Sequence, residues 1–270
     1  MSQPTASYLL AGQASELERL QLQSRVWEPS ARAVLAQLPS GVGRRALDVG
    51  CGVMGWLRVL SDWVGPAGAV VGSDIDEKML SGAEQFCHGE RLANVSLVRD
   101  DLFASQLAPG SFDLVHARFQ IAPLGRALEQ MAMYTRMLRP GGTLVLEDPD
   151  MASWRVNPDA PATQRLIQWI ERGFEAAGGD FNAGRSLAAY LRGAGLRPHM
   201  RAHVLALESG HPYLRLPLQF VASLRPRLLQ LLPAAELDEL VRHAETELAR
   251  PQTWGTTFTL IQAYATAPPG

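Results

Sequence analysis

The segment Arg45-Ala46-Leu47-Asp48-Val49-Gly50-Cys51-Gly52-Val53-Met54-Gly55-Trp56-Leu57 constrains this chain more than any other. A short apolar run takes in one acid and ends in glycines, after which the pattern turns helical. That is the sequence of a buried strand, a tight turn and a helix N-terminus arranged around a ligand. Glycine tolerates positive φ and lets a ligand approach the backbone closely. Gly50 to Gly55 also has the G-x-G-x-x-G spacing of a dinucleotide turn.

Asp48 argues against a dinucleotide. A pyrophosphate sits on the helix N-terminus, where N–H groups and the helix dipole attract anions. A carboxylate two residues before the first glycine repels it, and suits a ligand that is cationic there. The other reading of Asp48 is a solvated turn acid or an Asx-type cap.

Strands and helices alternate from that turn onward. Ala46–Val49, Ala69–Asp74, Val95–Val98, Phe112–Ala117 and Thr143–Glu147 read as strands, with Met54–Val64, Asp76–Phe86 and Ala127–Leu138 as helices between them. The pattern predicts βαβ units and a parallel sheet covered on both faces. Upstream, Ser15-Glu16-Leu17-Glu18 has the form of a capping box opening a helix over 15–38, which Pro29 breaks or restarts. Beyond Glu147 the sequence suggests helices over 161–176 and 184–194, a strand over Leu196–Leu207, mostly helix over 213–250, and a final strand over Thr256–Ala265.

Bulk properties narrow the partners. A chain of 270 residues with 19% charged residues suits one elaborated globular domain. A net charge of −2 gives no electrostatic case for nucleic acid. No apolar run approaches the ~18 residues of a membrane span, and Met1–Gly12 lacks the pattern of a signal peptide. Cys51 and Cys87 make no disulfide framework and suit a reduced, cytoplasmic compartment. His199 and His203 lie four apart, but on a predicted strand, so no metal site is expected. The expected partner is a small-molecule substrate, with the chain a monomer or homodimer.

Four pieces fall at strand carboxyl ends, where open α/β sheets bind ligands. The first is the Asp48–Gly55 turn. The second is Asp74, placed to accept from two ribose hydroxyls. Asp76 is the better helix cap. The third is Asp100-Asp101-Leu102, where a carboxylate can accept from an adenine amino group and Leu102 can lie on the ring. The fourth is Ser111 to Phe119, which brings the fourth strand beside the same pocket.

With these in place the chain resembles the class I SAM-dependent methyltransferases, in particular the small-molecule subgroup that serves natural products and ubiquinone or menaquinone. Asp48-Val49-Gly50-Cys51-Gly52, Val71-Gly72-Ser73-Asp74-Ile75-Asp76, Asp100-Asp101, Phe112-Asp113-Leu114-Val115 and Leu138-Arg139-Pro140-Gly141-Gly142 match its motifs in order, over about residues 45–148. The leading stretch, with Tyr8-Leu9-Leu10, Glu16 to Leu20 and Trp27, is similar to a subgroup whose first helix covers the cofactor. The resemblance implies a Rossmann-like seven-stranded, mostly parallel sheet with an antiparallel last strand, helices on both faces and helical lid insertions at about 149–190 and 209–250. Residues 1–40 would form an N-terminal helical cap and 41–270 the methyltransferase domain. S-adenosylmethionine would be the cofactor and S-adenosylhomocysteine its product. Asp48, Gly50, Cys51, Gly52, Asp74, Ile75, Asp100, Asp101, Leu102 and Arg118 would contact the cofactor, Arg118 through its carboxylate or else through an acidic substrate.

Two departures stand out. Val53-Met54 replaces the third glycine of the first motif, and Pro123 lies near the place where relatives often carry a histidine after the fourth strand. The resemblance implies methyl transfer to oxygen or carbon of a small or medium organic molecule, in secondary metabolism. The candidate bases are His211, at the start of the second insertion, and Asp148, with Glu147 at the pocket mouth and His116 as a base or a core histidine. Trp154, Phe174, Tyr190, Tyr213, Phe220 and Trp254 are candidate walls of an apolar substrate pocket. The alternatives are a non-methylating, cyclase-like protein that binds the same cofactor, and an NAD-dependent oxidoreductase.

Overall fold

The computed structural model describes residues 14–270. The strands are β1 (Arg45–Val49), β2 (Ala69–Asp74), β3 (Val95–Arg99), β4 (Phe112–Arg118), β5 (Leu138–Asp150), β6 (Arg155–Asn157), β7 (His199–His203), β8 (Ala206–Leu207), β9 (Trp254–Thr256) and β10 (Thr259–Thr266). The helices are α1 (Ala14–Leu35), α2 (Leu57–Val64), α3 (Glu77–Glu90), α4 (Ile121–Leu124), α5 (Ala127–Met137), α6 (Pro161–Glu175), α7 (Leu187–Gly193), α8 (Leu216–Leu228) and α9 (Ala234–Leu248).

Seven strands form one sheet in the order β3-β2-β1-β4-β5-β10-β7. The first five run parallel, and β10 is antiparallel to both β5 and β7. This is the Rossmann-like sheet expected of the sequence. The central strand β4 is buried at every position, as a strand covered on both faces must be. Asp76 caps α3, its Oδ1 accepting the Lys78 N–H at 2.8 Å.

Four expectations need correction. The helix after the glycine turn starts at Leu57, not Met54, because Gly55 has a φ of +40° that right-handed helix does not allow. Pro29 does not break α1, which runs through it to Leu35. The run Leu196–Leu207 is two strands: β7 joins the edge of the main sheet, while β8 pairs β9 in a small sheet ordered β6-β9-β8. The last strand starts at Thr259, since Trp254–Thr256 belongs to that small sheet. Tyr8-Leu9-Leu10 and the side chains of the Ser15 capping box lie outside the described residues.

The insertions build a second core rather than loose loops. Leu166, Ile167, Ile170 and Phe174 of α6 pack with Leu224 and Leu228 of α8 and Leu237 of α9. Trp27 of α1 joins this core: its indole N–H donates to the Tyr213 hydroxyl at 3.1 Å, and its ring lies 5.6 Å from that of Phe258. The first helix is thereby tied to the insertions above the carboxyl ends of the strands.

Candidate functional site

A cavity of about 200 Å³ opens at the carboxyl ends of β1 to β4. Its floor is the turn after β1. Gly50 and Gly52 have φ of +63° and +55°, so their N–H groups and Cα atoms line the floor where a side chain would block it. A Cβ on Gly55 would stand 2.2 Å from Asp48 Oδ2. That contact explains the glycine: Asp48 Oδ2 reaches across it to accept the Trp56 N–H at 2.7 Å, capping the approach to α2. Asp48 is therefore both a cavity wall and a cap.

All ten residues expected to contact the cofactor line this cavity. Asp74 Oδ2 accepts the Gly52 N–H at 2.9 Å and Oδ1 accepts the Asp76 N–H at 2.9 Å, which fixes the carboxylate at the cavity wall. Burial raises the Asp74 pKa from its usual value, against the pull of those two N–H donors. Asp100 Oδ1 accepts from Gln106 N–H and Asp101 Oδ1 from Phe103 N–H, so backbone fixes both acids beside Leu102 and Ile75. Arg118 donates from Nη2 to Ser24 Oγ at 3.0 Å, while its Nη1 is buried without a partner. A buried guanidinium N–H lacking an acceptor fits an anionic group entering the cavity.

Beneath this floor lies a buried charged network. His116 Nδ1 is 2.7 Å from Asp48 Oδ1, and its Nε2 is 3.3 Å from Glu147 Oε2. The Trp56 ring stacks on the imidazole at 3.8 Å and donates its indole N–H to Glu147 Oε2 at 3.0 Å. Burial lowers the His116 pKa, but Asp48 and Glu147 outweigh it and hold it above the usual value. Burial raises that of Glu147, and His116, Arg118 and Gln262 together bring it below the usual carboxylate range. His116 is thus a clamped imidazolium between two carboxylates and has no lone pair to act as a base.

The cavity lining includes none of Asp148, Glu147 and His211. Asp148 does not line the cavity; it is buried on the other face of β5, accepting the Ala122 N–H at 2.9 Å. Glu147 is fully buried, and its carboxylate is engaged by Trp56, His116 and Gln262. His211 lies outside the lining as well, and its Nδ1 accepts the Tyr213 N–H at 3.1 Å to cap a short 3-10 turn. Among the expected wall residues, Phe174 and Phe220 border a second small cavity, Trp154 packs behind them, and Trp254 is an exposed surface residue. Tyr213 is core, and Tyr190 packs against the main sheet.

The sequence reading missed Phe103, Arg126 and Gln120 of the cavity wall, and had Phe119 beside the pocket only as the end of the fourth strand's run. Arg126 has a φ of +50° and lays its guanidinium 3.7 Å from the centre of the Phe103 ring. Nothing in a linear pattern marks an arginine in the left-handed region.

Burial pushes the Asp148 carboxyl up to about 8, against the Ala122 and Ile121 N–H groups. The folded chain then holds a proton that the unfolded chain loses near 3.8. That contribution to stability is complete below the unfolded pKa and is lost as pH rises through about 8. Asp148→Asn keeps the shape and cannot titrate. Its stability relative to the parent is expected to rise between pH 5 and pH 8, by up to ~1.4 kcal/mol per pH unit. Urea denaturation at several pH values checks this, and a pH-independent difference refutes it.

Comparisons with known proteins agree with this geometry. Residues 46–142 match the family model for a methyltransferase domain. Demethylmenaquinone methyltransferase of Staphylococcus carnosus (strain TM300) is 32% identical over 123 residues, 46% of this chain and 49% of that protein. The chain spans about half the length of the curated relatives it matches. Among solved structures, a SAM dependent methyltransferase from Aquifex aeolicus is similar with a TM-score of 0.57 and 18% identity, covering 95% of this chain and 99% of that one. The [4+2]-cyclase SpnF is similar with a TM-score of 0.52 and 17% identity, covering 89% and 82%. At these identities the structural likeness speaks for the fold alone.

Proposed function

We propose that this chain, a member of the class I SAM-dependent methyltransferase family through residues 46–142, transfers a methyl group from S-adenosylmethionine to oxygen or carbon of a small organic acceptor. One observation carries the reading: Asp48, Asp74, Asp76, Asp100 and Asp101 all line the cavity. Five carboxylates oppose a pyrophosphate, which disfavours a dinucleotide, and suit a phosphate-free nucleoside bearing a sulfonium and an ammonium. Asp74 would hold the ribose, Asp100 or Asp101 with Leu102 the adenine, and the unpaired Nη1 of Arg118 the carboxylate.

S-adenosylmethionine supplies an electrophilic methyl group for in-line displacement. The protein's part is position: fixed donors and walls can supply ~7–11 kcal/mol of the barrier by alignment. The network below the floor holds Asp48 and the turn in place. Helix α1, with Leu20, Gln23 and Ser24 on the cavity wall, and the insertions above it would exclude water. Asp148 and His211 have no part in this reading. An acceptor with an acidic hydroxyl or activated carbon needs no strong base. The names of the relatives support a planar, largely apolar acceptor of quinone type, and they do not point to secondary metabolism.

Calorimetric titration with S-adenosylmethionine, S-adenosylhomocysteine and NAD tests the cofactor. Micromolar binding of the two sulfur nucleotides and none of NAD is expected; NAD binding alone overturns the reading. Asp74→Ala is expected to weaken S-adenosylhomocysteine by about ten-fold through loss of two hydroxyl contacts. Appearance of S-adenosylhomocysteine on addition of a phenolic acceptor separates methyl transfer from a cyclase-like role.

A further inference from the structure

We propose that Phe119 is a door whose ring shuts an aromatic box off from the cofactor cavity, and that the box takes the planar ring of the acceptor. The proposal rests on the methyltransferase reading. Phe119 follows β4 with a φ of +54°. A bulky aromatic in the left-handed region is strained, and such strain persists only where the surroundings enforce it. Here its N–H donates to the Glu147 carbonyl at 2.7 Å, which holds the turn.

Phe119 borders two cavities at once: the cofactor cavity and a neighbour of about 30 Å³. Phe174, Phe181, Phe220 and Phe258 wall the neighbour. Their rings meet edge to face, with Phe174 and Phe181 at 4.7 Å and 89°, and Phe119 and Phe258 at 5.7 Å and 83°. Such edges and faces pair well with another flat ring. Yet a space of about 30 Å³ holds little more than one water, whereas a dry cavity that admits benzene measures about 150 Å³. The box is closed as it stands. Turning the Phe119 ring aside would join it to the cofactor cavity.

Sheet order puts the box on the acceptor side. Asp74 and Asp100 end β2 and follow β3, at one flank of the cavity. Phe119 follows β4, and Pro149 of β5 borders the box, so the two compartments extend in opposite directions from β1. The box also has a polar edge. Arg19 of α1 places its guanidinium 5.0 Å from the centre of the Phe220 ring and donates to Gln23 Oε1 at 3.0 Å. Both residues border the box.

The test uses the full chain saturated with S-adenosylhomocysteine and follows 2-naphthol by its own fluorescence in stopped flow. Phe119→Ala is expected to take up and release 2-naphthol about ten-fold faster than the parent. Phe119→Leu, which keeps an apolar side chain, is expected to fall between them and serves if the alanine variant does not fold. Equal rates in the parent and both variants, or no 2-naphthol binding to the liganded parent, overturn the door. Failure of the parent to bind S-adenosylhomocysteine at all overturns the methyltransferase reading instead, so the two failures are distinguishable.

Discussion

Glu147→Ala is expected to lower the stability of the folded chain by about 3–5 kcal/mol, the cost of breaking a buried ionic network from one side. The carboxylate is fully buried on β5. Its Oε2 accepts from the Trp56 indole and the His116 imidazole, and its Oε1 accepts from Gln262 Nε2. Arg118 Nε stands 3.9 Å away. Alanine would strand these donors and leave the imidazolium with one counter-charge instead of two. Glu147→Gln keeps the volume and one acceptor oxygen but turns an NH₂ toward groups that are themselves donors, so it should lose less than alanine. Chemical denaturation of the three proteins at pH 7 checks the order. The His116 side adds a pH signature. Its raised pKa means that its contribution is complete below the unfolded value of 6.5 and fades as pH rises through the folded one. Glu147 behaves oppositely: its contribution is present above 4.5 and is lost as pH falls through its lowered pKa. The cost of Glu147→Ala is therefore expected to be largest near neutrality and smaller in strong acid. An alanine variant as stable as the parent would mean that the network contributes nothing to the fold.

The same network marks where sequence reasoning runs out. Asp48, Asp74 and Asp100 were legible because each ends or follows a short apolar strand, and in a parallel sheet all such ends face one side. Position in the alternation was enough to place them. In sequence Glu147 and Asp148 look like a strand end in the same way, yet β5 runs on to Asp150 and neither reaches the cavity. The difference lies in a distant partner: β10 pairs antiparallel with β5 as far as Asp150 and extends the strand past both acids. No local pattern announces such a partner. His116 was legible as a residue of a buried strand, but its partners are 68 and 31 residues away in the chain. The aromatic insertions illustrate a third limit. Trp154, Phe174 and Phe220 look alike in sequence, and only packing against Phe181 and Phe258 decides which of them border a space. The turn at Phe119 was hidden because left-handed backbone at a phenylalanine runs against propensity, which is what a strained site looks like from outside.

Gly50→Val is expected to weaken S-adenosylhomocysteine by at least about 100-fold, or roughly 2.7 kcal/mol. Two independent costs meet at this residue. The first is conformational: Gly50 has a φ of +63°, where a β-branched side chain pays of order 1–2 kcal/mol or more. The second is steric. A Cβ there would come within 2.2 Å of Gln120 Nε2, so Gln120 must leave its place over the turn before any further branch is fitted. Both Gly50 and Gln120 line the cavity, and whichever moves, the space for the ligand shrinks. Gly43 provides the contrast. Its φ is +75° but a Cβ there meets nothing within 4 Å, and it lies in the turn before β1, away from the cavity lining. Gly43→Ala thus carries the backbone cost without the steric one and should leave ligand affinity near that of the parent. Calorimetry with S-adenosylhomocysteine on the two variants, with thermal melts run alongside, separates site damage from general destabilisation. A Gly50→Val protein that melts normally and binds with parental affinity would remove the glycine turn from the cofactor site. With it would go the reading of Asp48 as the acid that favours a cation over a pyrophosphate.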